Sequence, residues 1–168
     1  MRCNFSFVQF RSMVKKTIRL GLLLLSSMIL SANKNTKEFN KTLTNLVGKK
    51  FSILERIRMG GIGSGKLVVS EYSTNLQPCF GNRQDTKFVI AEVCEKGLII
   101  YIKNAINDYV WLIPYYQLSL FKSTHYSIHS NGNFVKVDLK SLEQKNNMSF
   151  IKKLERLRMM HLNNHDLR

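Results

Sequence analysis

The residues Gly60-Gly-Ile-Gly-Ser-Gly-Lys66 fit the spacing G-x-x-x-x-G-K. In that motif successive backbone amides cradle phosphates and the lysine reaches the terminal ones. Nucleotide binding also needs a Ser or Thr after the lysine to hold magnesium, and a helix starting there to lend its dipole. Here Leu67-Val-Val follows, which supplies no hydroxyl and favours a strand. The nucleotide reading therefore gives way to a glycine-rich hairpin turn that uses positive φ. Between the two stands a weaker idea, an anion nest of amides beside Lys66.

Lys49, Lys50, Arg56, Arg58 and Lys66 form a basic cluster around that turn. A solvated basic face and an anion-binding surface are both open readings, and Lys50, Arg56, Arg58 and Lys66 are the anion-binding candidates. Trp111, Tyr115 and Tyr116 surround Pro114 and are the partner-binding candidates; the alternative is that they cap the core. His125 and His129 share one face of a strand, but four residues at about 3.3 Å each hold them too far apart for one metal. His161 and His165 are helical neighbours without a third ligand nearby. Glu92 and Glu95 flank Cys94, and negative charge discourages a thiolate. No Ser/His/Asp or Cys/His set declares itself, so no catalytic residue, metal ligand or cofactor is assigned. RNA stacking on aromatics near basic residues lacks a supporting motif, which makes nucleic acid a poor candidate partner.

The elements that would position these residues read mainly as strands. Residues 51–58 alternate well enough for a strand, and residues 66–72 follow the glycine turn as its hairpin partner. Residues 74–86, with Pro78 and Gly81, read as a loop. Strands are expected over residues 87–94, 98–103, 109–113, 118–121, 126–129 and 134–138, with Asn131-Gly132 a strong hairpin signal. Residues 33–46 read as a polar linker or short helix. Phe150, Ile151, Leu154 and Leu157 make the apolar stripe of a closing helix, with Ser149 or Asn147 as its N-cap. The expected fold is mainly β (α+β): an antiparallel barrel or strongly bent sheet of six to seven strands, closed by this C-terminal amphipathic helix. Without βαβ alternation, a parallel sheet is not expected.

Leu98-Ile-Ile-Tyr-Ile-Lys103, Trp111-Leu-Ile-Pro-Tyr-Tyr-Gln-Leu118, the run from Tyr126 through Asn131-Gly132 to Lys136, and Phe150-Ile-Lys-Lys-Leu154 together resemble an uncharacterised family of small bacterial proteins. Val47-Gly-Lys-Lys-Phe51 and Gly60-Gly-Ile-Gly-Ser-Gly65 fit the same pattern. The layout is also similar to pleckstrin-homology-like (PH-like) barrels, with strands in series, an aromatic-Pro turn, an Asn-Gly hairpin and a closing helix. The likeness spans residues 47–158 and implies a fold rather than an activity. Lys50 with Arg56-Ile-Arg58 is similar to the basic pattern of phosphoinositide-binding PH barrels, although here all three residues precede the turn.

The chain has 168 residues and a formal charge of +15, from 26 basic and 11 acidic residues. Five of the basic residues lie in residues 1–32, which hold no acid. A balance this positive fits an anionic partner, and equally a basic solvated surface. Residues 1–32 read as a signal-like leader: Lys15, Lys16 and Arg19 precede an apolar run that ends at the small residue Ala32. Met13 is an alternative start. The run is shorter than the about 20 residues of a spanning helix. The other readings are an uncleaved hydrophobic helix and a translated upstream stretch that is never folded; export or membrane association is favoured slightly over a cytoplasmic place. In an exported chain Cys79 and Cys94 are disulfide candidates; in the cytosol they are packing thiols. The expected organisation is a signal-like apolar leader 1–32, a polar linker or short helix 33–46, a β-barrel plus C-terminal helix 47–160 and a tail 161–168. The expected function is a non-catalytic binding or adaptor module for a protein or an anionic membrane surface, with a homo-oligomer compatible. The alternative is an exported or membrane-tethered protein whose basic face binds anionic lipid or envelope polymer.

Overall fold

The computed structural model describes residues 28–31, 37–81, 85–104 and 107–165, with side chains through Asn163. Eight strands form one antiparallel sheet: β1 (Met28–Ser31), β2 (Leu67–Tyr72), β3 (Phe88–Val93), β4 (Gly97–Lys103), β5 (Asp108–Pro114), β6 (Ser119–Lys122), β7 (Tyr126–Ser130) and β8 (Asn133–Val137). Their order is β1-β5-β4-β3-β2-β8-β7-β6. The helices are α1 (Lys37–Val47), α2 (Ile53–Arg58), α3 (Gln77–Phe80), α4 (Leu139–Leu142) and α5 (Lys145–His165). The fold is α+β, an open sheet with a long C-terminal helix.

Side-chain alternation decides what each face of the sheet carries. Leu98, Ile100 and Ile102 of β4 and Trp111 and Ile113 of β5 face a core that also takes Phe150, Ile151 and Leu154 of α5. Ile99, Val110 and Leu112 point the other way, into a second core with Leu43, Leu46 and Val47 of α1. Covered on both faces, β4 and β5 are near-continuous apolar runs in the sequence. Gly97 is held to glycine by close approach: a Cβ there would lie 2.5 Å from the Ile113 carbonyl oxygen and 2.8 Å from Val47 Cγ1.

The strands expected from residue 66 onward are present. So is the hairpin turn, whose Asn131 and Gly132 take φ of 55° and 75°, as a tight two-residue turn requires. Four expectations need correction. Residues 51–58 were expected as a strand, but residues 53–58 are the helix α2. Ser52 and Glu55 form a capping box: the Glu55 amide donates to Ser52 Oγ, and the Ser52 amide donates to Glu55 Oε2 at 2.7 Å. The barrel or strongly bent sheet is replaced by a sheet that neither closes nor curls strongly. Closure needs the two end strands to pair, whereas β1 and β6 stand at opposite edges. The closing helix begins at Lys145, so neither Asn147 nor Ser149 is its N-cap. The loop at 74–86 contains a 3₁₀ turn, Thr74–Leu76, followed by α3. Met28–Ser31, the end of the apolar leader, forms β1 and pairs with β5. The rest of the leader lies outside the described residues.

Candidate functional site

The glycine-rich stretch is a strut rather than a hairpin turn between two strands. The Gly60 amide donates to the Ile57 carbonyl at 3.0 Å and the Gly61 amide to the Arg56 carbonyl at 2.8 Å, ending α2. Ile62 then accepts from the Val93 amide at 2.9 Å, and the Ser64 amide donates to the Ala91 carbonyl at 2.7 Å. These bonds lay the stretch along β3, beyond the short pairing of β2. The Ala91 amide donates to Ser64 Oγ at 2.8 Å. The Gly65 amide donates to Asn147 Oδ1 at 2.7 Å, and Asn147 Nδ2 donates to the Ser141 carbonyl at 2.6 Å. Asn147 is wholly buried and ties this strut to α4 and α5. Because the amides of Gly60, Gly61, Ser64 and Gly65 all have internal acceptors, they make no phosphate cradle.

The four basic candidates are placed unequally. The Lys50 ammonium lies 3.3 Å from Glu92 Oε2 and donates to Tyr101 Oη at 3.0 Å. Burial alone would lower its pKa, but the bonds and charges of Tyr101 and Glu92 outweigh this and raise it above the usual 10.5. Tyr101 itself is pushed up to about 12, first by burial and then by its bond to Glu92. Arg56 Nε donates to the Phe51 carbonyl at 2.8 Å, bracing the entry to α2. Arg58 is exposed at the last position of α2. Lys66 sits 4.8 Å over the Phe88 ring. Lys50 thus precedes α2, Arg56 and Arg58 lie in its last turn, and Lys66 lies beyond the strut.

What sequence reading missed is the apolar side of α2. Ile53, Leu54 and Ile57 are 75%, 68% and 70% exposed, one turn of helix presenting three large aliphatic side chains to solvent. Phe51 and Met59 at its two ends pack against the main core, so the helix is anchored while its apolar side faces outward. Exposed Lys49 and Lys50 precede it. The available signal was Ser52-x-x-Glu55, which specifies a helix start and turns the apparent alternation of residues 51–58 into helical spacing.

The aromatic candidates separate. Trp111 and Tyr115 are wholly buried, and Tyr115 Oη donates to the Cys94 carbonyl at 2.9 Å. Tyr116 is on the surface. Of the two readings, core packing describes the first pair. Cys79 and Cys94 are free and belong to opposite cores. Burial, then Glu92, pushes the Cys94 thiol up to about 12, the reverse of nucleophile activation. His129 stacks on Phe134 and meets Phe121 edge-on; His161 contacts the Tyr115 ring. The side chain of His165 lies outside the described residues. Among the described residues no three His, Cys, Asp or Glu side chains gather into a metal-binding group. Comparison with protein-family models, curated proteins and solved structures finds no match to the chain.

Proposed function

We propose that the protein is a non-catalytic binding module that docks on an anionic membrane surface through α2. The observation that carries this reading is the exposed trio Ile53, Leu54 and Ile57 beside Lys49, Lys50, Arg56 and Arg58. Apolar side chains that enter the acyl boundary while cations stay at headgroup level are what an interfacial helix supplies. Full burial of one such side chain contributes about 1.5–3 kcal/mol, and a cation near an anionic leaflet about 1 kcal/mol. A one-and-a-half-turn helix therefore binds weakly and reversibly by itself, and stable attachment takes a second signal. The part of the apolar leader that precedes β1, with Leu20 and Leu22–Leu25, is suited to contribute to that signal, whether it stays as a tether or delivers the chain to an envelope. The described helices include none long and apolar enough to cross a membrane.

From the PH-like layout this reading keeps only a sheet packed on one C-terminal helix, and it does not depend on the likeness to the small bacterial family. A protein partner is the second reading, favoured by Tyr116 and Phe121, which are 50% and 58% exposed.

Sedimentation of the full chain with phosphatidylcholine vesicles, with and without phosphatidylglycerol, tests the proposal. Binding is expected to rise with anionic content and to fade as salt shortens the screening length. The double variant Ile53→Ser/Ile57→Ser is expected to bind at least tenfold more weakly at unchanged thermal stability, and Lys49→Ala/Arg58→Ala to lose the dependence on anionic lipid. Binding that ignores both lipid charge and these substitutions would overturn the reading.

A further inference from the structure

The strand β1 is the part of the apolar leader that the sheet uses. Its register on β5 pairs Met28 with Leu112, Ile29 with Trp111, Leu30 with Val110 and Ser31 with Tyr109. Met28 and Leu30 pack into the core beneath α1, and Ile29 packs against the core on the α5 side. One four-residue strand thus covers both cores at their edge and pairs with the outer side of β5 from Tyr109 to Leu112. A cut after Ala32, where the signal-like leader reading ends the leader, would fall between β1 and α1, which begins at Lys37; the inference rests on that reading. A cut there leaves β1 held only by noncovalent contacts: a short ladder and three apolar side chains.

We propose that the outer edge of β5 is a strand-acceptor site for an extended apolar segment. In the intact chain it is filled by Met28–Ser31, and after a cut near Ala32 it exchanges that segment for another copy supplied in trans. Once β1 leaves, the edge would offer amides and carbonyls in one row, with side-chain slots at alternate positions above and below, which is how sheets recognise added strands. The slots are unequal. Two open to the α1 core and one to the α5 core, so an apolar–apolar–apolar–polar segment fits in one register. A slip by one residue would carry Ser31 toward a core slot.

The test uses the full chain with a protease recognition sequence placed in residues 32–36, folded first and cut afterwards. A fluorescent peptide covering residues 26–33, with two lysines added for solubility, is then supplied in excess. The cut protein is expected to take up the labelled peptide while releasing its own fragment, with hydrogen-exchange protection restored along β5. A peptide carrying Met28→Lys and Leu30→Lys is expected to bind at least tenfold more weakly. A cut chain that takes up no labelled peptide, whether it keeps or sheds its own fragment, would overturn the proposal. So would equal uptake of the lysine-bearing peptide. Vesicle binding enters neither readout, so this proposal and that for α2 fail independently.

Discussion

The helices α2 and α5 carry the same kinds of aliphatic side chain and dispose of them in opposite ways. On α5, Phe150, Ile151 and Leu154 are at most 8% exposed, pressed against the sheet. On α2 the corresponding side chains face water. The long helix is held by the area it removes from solvent. The short one is held by polar groups at its ends: the Ser52–Glu55 capping box, Arg56 Nε on the Phe51 carbonyl, and the amides of Gly60 and Gly61. Capping can therefore fix a surface helix without consuming its apolar side, which stays free for an external phase.

The sharpest way to break this comparison is at Leu154, which is wholly buried. Leu154→Ala is expected to destabilise the fold by about 2–5 kcal/mol through lost contacts and the cavity left behind. Urea unfolding measures this, and a loss within about 0.5 kcal/mol, the range of ordinary surface changes, would mean that α5 does not clamp the sheet. Next comes Asn147, the polar pin between α5 and the glycine strut. Asn147→Ala leaves the Gly65 amide and the Ser141 carbonyl without this partner and is expected to cost about 1–3 kcal/mol in the same assay.

The smallest effect belongs to α2 itself. The Glu55 carboxyl is held below its ordinary pKa of 4.5 by its bonds to the Ser52 hydroxyl and amide, with a lesser contribution from Arg58. A depressed carboxylate stabilises the folded form above its ordinary pKa, and that contribution is lost as pH falls through the lowered value. Exchange protection in α2, taken relative to the intrinsic rate at each pH, should accordingly fall below about pH 4.5, the ordinary range for a glutamate, while β4 and β5 remain protected. Ser52→Ala should produce the same loss of protection at neutral pH and flatten the acid response. An unchanged acid response in that variant would show that the cap does not hold the helix.

Much of the fold was legible because strands buried on both faces leave a local mark. Residues 98–103 and 109–113 are unbroken apolar runs, and Asn131-Gly132 specifies its turn from backbone stereochemistry alone. Residues 51–58 were misread because Phe51, Ile53 and Ile57 suit a half-buried strand as well as a helix, and only the Ser52–Glu55 pair separates the two. The anion-binding candidates were drawn from a linear cluster. Lys50 turned out to be engaged with Glu92 and Tyr101, residues more than forty positions away. That engagement leaves Lys49 and Arg58 as the more open cations beside α2.

By itself the sequence determined the strands from residue 67 onward, the terminal amphipathic helix and the strongly basic charge. Each follows from side-chain period, turn chemistry or composition, which act over a few residues or over the whole chain. Only the tertiary structure decided that the sheet stays open, because closure depends on which strands find each other at long range. It also decided that Trp111 and Tyr115 belong to the core, that Asn147 is a buried pin, and that Met28–Ser31 completes an edge. Burial and pairing are properties of what lies opposite a residue, and in each of these cases the opposite partner is distant in the chain.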